Sequence, residues 1–113
     1  MRSHELATGR TFGVTFDHGD EFFTALRAFC SANGVRQGYI PMFIAGFAEA
    51  EVVGPDAPVW SKVHLSGLEA MGCGTLAYDA EHDEVLPYIH TTGGEKGRSA
   101  AGYTSNLLSA KVG

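Results

Sequence analysis

The sequence predicts an α/β (α+β) domain in which one main helix packs on a mostly antiparallel sheet. Fifteen of the 113 residues are glycine, which favours strands joined by turns. One segment alone has the apolar period of a helix, whereas the other apolar runs are short or alternate with polar residues, as in strands. The length and a hydrophobic content of 44% suit one core, so we expect a single domain over residues 1–113.

The first two predicted elements are a strand and the helix. Residues 11–16 alternate apolar and polar side chains, which is typical of a strand. Residues 21–32 place an apolar stripe along one helix face, and Asp20 is expected to cap its N-terminus. Asn33 and Gly34 end the helix, because either residue can adopt the left-handed conformation.

The rest of the chain predicts strands and their connections. An apolar run over residues 39–47 contains Pro41 and Gly46, so we expect that strand to bend or bulge before it continues through residues 49–53. Composition predicts loops at 54–58 and 79–84, and a flexible loop at 91–101. Further strands are expected at 59–65, 70–78, 85–90 and 103–112.

Charge and cysteine usage limit the classes of partner. Eight basic and thirteen acidic residues give a net charge of −5, and the basic residues are scattered. DNA binding is therefore disfavoured, because it depends on clustered lysine and arginine. There is no apolar run long enough for a membrane span and no signal peptide, so we expect a cytoplasmic protein without a membrane partner. Cys30 and Cys73 lie in apolar surroundings without CxxC spacing, which predicts buried free thiols.

The chemistry-bearing residues form no catalytic or metal motif. None of the five histidines has a histidine or cysteine partner at the usual ligand spacing. His82 lies in an acidic run that is typical of a solvated turn. His90 ends a predicted strand before a glycine-rich loop; it is either a half-buried histidine bonded to a backbone carbonyl or a functional residue. Residues 92–98 carry three glycines and two cations, which favours a surface loop over an anion site. Whether the protein is an enzyme stays open.

The order of four segments resembles a known family. These segments are GVRQGYI at 34–40, GFAEAEV at 46–52, YIH at 88–90 and YTSNLLSA at 103–110. Together they resemble the plant- and prokaryote-conserved (PPC) domain over residues 8–112, as a bacterial stand-alone member. The resemblance implies an antiparallel α/β fold, a homotrimer and a DNA-associated regulatory role. It also implies a further apolar strand after residue 112, which this sequence is expected to lack.

The resemblance also suggests a site. Several family members carry a histidine cluster that can hold a metal, and Tyr88, His90 and Asn106 (or Tyr103) stand at its three positions here. One imidazole with a phenol and a carboxamide is a poor zinc set, so we expect no cofactor and no metal, with His90 holding at most a weak site. The candidate ligand-binding residues are Tyr88, His90, Tyr103, Asn106 and Arg36.

Three functions follow from these expectations. The first is a homotrimeric regulatory module associated with DNA. The second is a small-molecule-binding protein or enzyme whose site lies at the subunit interface around His90. The third is a structural trimer without chemistry of its own.

Overall fold

In the part of the chain that the structure describes, the fold consists of one helix and four long strands. The computed structural model describes residues 1–54, 61–98 and 101–113. The elements are α1 (Phe22–Asn33), β1 (Gly38–Val53), β2 (Lys62–Asp79), β3 (Glu84–Glu95) and β4 (Gly102–Val112). All strand pairings are antiparallel, so the predicted fold class is confirmed.

The sheet closes on itself, which the sequence did not indicate. Strand β1 pairs with β2 and β4, and β3 pairs with the same two strands, so the order β1-β2-β3-β4 forms a closed barrel. β2 pairs with β1 over residues 38–53, whereas β4 pairs with β1 only over residues 47–52. A long strand that curls in this way can pair with different neighbouring strands along different parts of its length, and bulges increase its bend.

The helix begins one residue later than expected, and its N-terminal cap is Glu21. The Glu21 carboxylate accepts hydrogen bonds from the backbone amides of Phe23 at 3.3 Å and Thr24 at 3.1 Å. The expectation for Asp20 was wrong, because its carboxylate accepts from the Asp17 amide instead, at 2.9 Å. Glu21 reaches the two amides because its longer side chain folds back over the first turn.

The helix ends at Asn33, one residue later than expected, and Gly34 stops it as the sequence predicted. Gly34 adopts a left-handed conformation with φ 64°, and the Val35 amide donates to the Cys30 carbonyl at 2.8 Å. This arrangement satisfies carbonyls that the last helical turn leaves without partners.

The predicted strand at residues 11–16 does not form. Its aromatic side chains pack on the helix, with Phe16 stacked on Phe22 at 4.9 Å and Phe12 edge-on to Phe29 at 5.1 Å between ring centroids. The alternation therefore marks side chains that contact the helix, although Phe12 is still 42% exposed. Among the described residues this segment has no strand pairing. The chain meets β4 directly after it, through backbone hydrogen bonds of Gly19 and Asp20 with Val112 and a bridge between Glu21 and Lys111.

The remaining strands are longer than the sequence suggested. Residues 62–65 of the strand expected at 59–65 and the strand expected at 70–78 are both parts of β2. The register shift between Ile40 and Phe43 confirms the bulge in β1. The predicted loop at 91–101 was wrong for residues 91–95, because these continue β3: residues 91–94 pair with β4, and Glu95 pairs with Leu68 of β2. Residues 55–60, with most of the predicted loop at 54–58 and Trp60, lie outside the described residues, as do residues 99 and 100.

The core lies between the helix and the inner face of the barrel. Phe22, Leu26 and Cys30 from the helix join Phe47 and Leu68 from the strands, each at most 5% exposed. Cys30 is thus a buried free thiol as predicted.

The expectation for Cys73 was wrong, because that thiol is exposed. Alternation along β2 turns Cys73 outward together with Met71, whereas the glycines on either side of Cys73 face inward. An apolar neighbourhood in the sequence therefore did not mean burial.

Candidate functional site

A row of side chains crosses the outer face of the sheet around His90. The register places His90 of β3 directly opposite Cys73 of β2 on one side and Asn106 of β4 on the other. His90 and Cys73 are exposed, and Asn106 is half-buried. Directly opposed residues in an antiparallel pair have Cβ atoms about 4.5–5.5 Å apart, so neighbouring members of the row can contact each other.

The bulge in β1 adds Met42 to this row. Ile40 pairs with Gly74 and Phe43 pairs with Gly72, so Pro41 and Met42 both stand opposite Cys73. Two residues opposite one is the arrangement of a β-bulge, which re-aims side chains. Met42 is 57% exposed, whereas Phe43 turns inward and packs against the core.

The row borders a shallow hollow of about 280 Å³. Two threonine hydroxyls at its edge are hydrogen-bonded to each other, with 2.9 Å between the Oγ1 atoms of Thr92 and Thr104. The buried Thr91 hydroxyl donates to the Met71 carbonyl at 3.0 Å. Within the described residues, the His90 imidazole has no side-chain hydrogen bond. The lining residues are Pro41, Met42, Met71, Gly72, Cys73, His90, Thr91, Thr92 and Thr104.

Large apolar side chains surround the hollow on the same outer surface. Five are more than half exposed: Tyr39 at 73%, Met42 at 57%, Ile44 at 77%, Met71 at 51% and Tyr88 at 67%. The register links them across the strands, since Ile44 pairs with Met71, and Thr75 pairs with both Tyr39 and Tyr88. We call the surface formed by these five side chains and the row through His90 the His90 face.

Three of the five residues predicted for the site lie together on the His90 face. Tyr88 is two residues from His90 on the same strand and projects to the same side, and Asn106 is the cross-strand neighbour of His90. Tyr103 does not join them, because it pairs with Gly93 and packs against the core.

Arg36 lies at a second cavity of about 370 Å³, between the end of the helix and the β2–β3 turn. Its guanidinium stacks over the Tyr78 ring at 4.8 Å. Tyr78 is five residues from Cys73 along β2, about 16 Å at the usual rise of a strand.

The second cavity has balanced charge. Arg36 and Arg27 face the carboxylates of Asp83 and Glu84 across it. The Tyr78 hydroxyl donates to Asp83, and this hydrogen bond raises the pKa of Tyr78. Since the two carboxylates offset the two guanidinium groups, the cavity does not favour an anion.

The acidic turn around His82 is explained by its own hydrogen bonds. The Asp79 carboxylate accepts from the backbone amides of Glu81 and His82, and its second oxygen lies 2.7 Å from the His82 ring nitrogen Nδ1. These contacts lower the pKa of Asp79, with the His82 side chain as the main cause. The expected solvated turn is the simplest account of this cluster.

The residues at the family's histidine positions do not fit a zinc site. Only His90 supplies an imidazole; the cross-strand neighbour Asn106 offers a carboxamide and Tyr88 a phenol. Zinc prefers imidazole and thiolate, so these three side chains form a poor set. Sequence reasoning missed Met42, Met71 and Cys73 as neighbours of His90. Only the strand register, which a single sequence does not reveal, places them there.

The fold is that of a known domain family. The profile of the Plants and Prokaryotes Conserved (PCC) domain matches residues 3–111. The chain therefore belongs to that family, which is the PPC family that its sequence segments resemble.

Solved structures of related proteins share the fold. A plant- and prokaryote-conserved protein from Pyrococcus horikoshii has a TM-score of 0.79 at 18% identity, with 99% of this chain and 78% of that chain covered. A metal-containing protein from Archaeoglobus fulgidus has a TM-score of 0.81 at 22% identity, with 99% and 79% covered.

A candidate DNA-binding protein from Bacteroides thetaiotaomicron has a TM-score of 0.71 at 21% identity, with 86% of this chain covered. The chain spans 66% of that protein's length, just under two thirds. A search of curated proteins found no match.

Within the residues that the structure describes, no helix combines the length and apolarity needed to cross a membrane.

Proposed function

We propose that this protein is a self-associating regulatory module that forms a homotrimer through the His90 face and acts in association with DNA in the cytoplasm. The number of copies comes from the family resemblance. The choice of face comes from the exposed apolar side chains that surround His90.

The observation that carries the proposal is the exposure of Ile44, Tyr39 and Tyr88, at 77%, 73% and 67%. A contiguous apolar patch on a small protein is costly in water and is typical of a protein–protein interface. Tyr39 and Ile44 lie on β1 and Tyr88 lies on β3, and β2 joins them, since Thr75 pairs with both tyrosines and Met71 pairs with Ile44. Homo-oligomers with closed symmetry are the commonest assemblies that cover such a surface.

A charge placed within this patch tests the proposal. We expect Ile44→Glu to sediment as a folded monomer at micromolar concentration, because burying an unpaired carboxylate in an apolar interface is strongly unfavourable. Leu6→Glu is the matched control, since Leu6 is 80% exposed and lies outside the sheet. It should assemble like the wild type. Identical sedimentation of the two variants would contradict the role of the His90 face.

The DNA association is supported by the description of the related Bacteroides protein and opposed by the charge of this chain. The net charge is −5, and several cations are engaged within the chain. Lys62 pairs with Glu51 at 3.7 Å, and the Arg10 guanidinium donates to the Asn33 carbonyl at 2.6 Å. Direct binding should therefore be weak and steeply salt-dependent. Titration of duplex DNA at low and at physiological salt tests this, and a lack of affinity at low salt removes direct contact with DNA.

A second candidate function is favoured by the hollow beside His90. Its apolar walls, the Thr92 and Thr104 hydroxyls and the imidazole resemble the composition of small-molecule sites. An enzyme or binding site there would lie at the seam between copies. The variant His90→Ala should then lose ligand binding while sedimentation stays unchanged, and a metabolite panel that gives no thermal shift would argue against this function.

A further inference from the structure

We propose that Met42, Met71, Cys73 and His90 form a binding site for a soft monovalent metal ion, Cu(I). The four side chains line the same hollow, and each carries a sulfur or nitrogen donor. Soft thiolate and thioether ligands favour Cu(I), zinc and iron–sulfur clusters over harder metal ions, and imidazole is also a copper ligand. The proposal uses residues of a single chain and goes beyond the function proposed above.

The strand register brings the donors together. Cys73 and His90 are directly opposed on β2 and β3, and the bulge in β1 places Met42 on the other side of Cys73. Met71 is two residues from Cys73 on the same strand and is therefore diagonal to His90. A thiol, an imidazole and two flexible thioethers can thus reach one point above the sheet. Methionine is suited to this because its three rotatable bonds adapt to the position of the ion.

The donors are exposed on the single chain, so an ion from solvent can reach them before copies assemble through the His90 face. Cys73 and His90 are both exposed, and Met42 and Met71 are 57% and 51% exposed. Within the described part of the chain, neither the Cys73 thiol nor the His90 ring takes part in a side-chain hydrogen bond or a salt bridge. Binding therefore does not require an existing interaction to be broken.

The same donors disfavour zinc. Thioether sulfur is a neutral, soft ligand, whereas zinc sites in proteins use thiolate, imidazole and carboxylate. Cys73 and His90 alone supply two such ligands to zinc, and no aspartate or glutamate lines the hollow within the described ranges. Binding of Cu(I) forms a bond from copper to the Cys73 sulfur and releases the thiol proton to water, with no change in oxidation state.

Competition with the chromogenic Cu(I) chelator bicinchoninate, under anaerobic reducing conditions, tests the site. We expect the wild-type protein to take one Cu(I) per chain from the chelator. Cys73→Ser should weaken the affinity more than about 100-fold, since even changes to groups that only support metal ligands cost roughly 10- to 100-fold. Met42→Leu and Met71→Leu keep the side-chain volume and should each weaken it about tenfold, while X-ray absorption of the wild-type complex should show sulfur neighbours.

Control variants distinguish copper binding in this hollow from binding at the buried thiol and from an effect of self-association. Cys30→Ala removes the buried thiol and should leave copper binding unchanged. The monomeric variant Ile44→Glu should still bind Cu(I), because Ile44 is not a ligand. Copper binding by this monomer would uphold the site, whereas a wild-type protein that assembles but binds no Cu(I) would overturn it. Any of three results would overturn the proposal: bicinchoninate keeps the Cu(I), Cys73→Ser binds Cu(I) as tightly as the wild type, or the wild type binds Zn²⁺ more tightly than Cu(I).

Discussion

A methyl group added at Gly72 should destabilise the protein, because strand and side-chain packing leave no space for it. A Cβ atom there would lie 2.5–2.6 Å from two ring carbons of Phe43 and closer still to the backbone carbonyl of His90. Ordinary carbon contacts begin near 3.4 Å. One obstructing group is backbone, so Gly72→Ala must separate β2 from β3 locally or displace the Phe43 ring.

The cost follows from the overpacking of well-packed cores. Such substitutions cost about 1–3 kcal/mol, and we expect the upper part of this range because a backbone atom cannot rotate away. For a domain of this size, about 3 kcal/mol corresponds to a decrease in melting temperature of roughly 10 °C. The same displacement would disturb the opposed pair formed by Cys73 and His90.

Denaturant unfolding followed by circular dichroism measures the effect. Gly46→Ala is the matched control, because Gly46 lies in β1 and a Cβ atom there meets no atom within 4 Å. Its free energy of unfolding should stay within about 0.5 kcal/mol of the wild type. Both variants need the same protein concentration, since self-association stabilises the folded state by mass action. Equal stability of Gly72→Ala and Gly46→Ala would refute this strand register.

Three further predictions concern the helix cap, the acidic turn and the thiols. Glu21→Ala should lower the free energy of unfolding by about 1–2 kcal/mol, because the carboxylate caps two helix amides; thermal unfolding measures this. The pKa of Asp79 is lower in the folded than in the unfolded protein, so the ionised Asp79 side chain stabilises the fold above the unfolded-state pKa. This stabilisation is lost as the pH falls through the folded-state pKa. The variant His82→Ala should raise the Asp79 pKa, which an NMR titration measures. Burial raises the pKa of the Cys30 thiol, so Ellman's reagent should modify Cys73 of the monomeric variant quickly and Cys30 only on unfolding; equal rates would contradict the assigned burial.

Local signals in the sequence predicted the helix and most strands. The apolar stripe and the Gly34 stop were sufficient for the helix, because both act within a few residues of the chain. The bulge near Pro41 was also predictable, since proline cannot donate to a sheet ladder. Residues 11–16 show the limit of this reasoning. Their alternation marks side chains that contact the helix, such as Phe12 and Phe16, but a strand also requires a neighbouring strand to pair with, which the pattern does not supply.

The candidate site depended on register, which the sequence left open. His90, Tyr88 and Asn106 were grouped through the family resemblance, and strand pairing places them on one face. Cys73 and Met42 could not be assigned to that face from their neighbours. The outward position of Cys73 follows from the alternation of a strand whose register was unknown, and that of Met42 follows from one extra residue in the bulge.

Closure of the barrel could not be predicted from the sequence either, because it requires both β1 and β3 to pair with β4. Each pairing joins segments distant in the chain, such as His90 with Asn106 and Ala50 with Ala110. The glycines of residues 91–95 were taken for a flexible loop, whereas they allow close approach of neighbouring strands. A Cβ atom at Gly93, for example, would lie 2.6 Å from the Glu69 carbonyl oxygen.

Native mass spectrometry at micromolar concentration tests the proposed assembly most directly. Three chains of 12.0 kDa give a species of about 36 kDa, which should be the main form of the wild-type protein and should be absent from Ile44→Glu. A folded wild-type protein that remains at 12.0 kDa would contradict assembly through the His90 face.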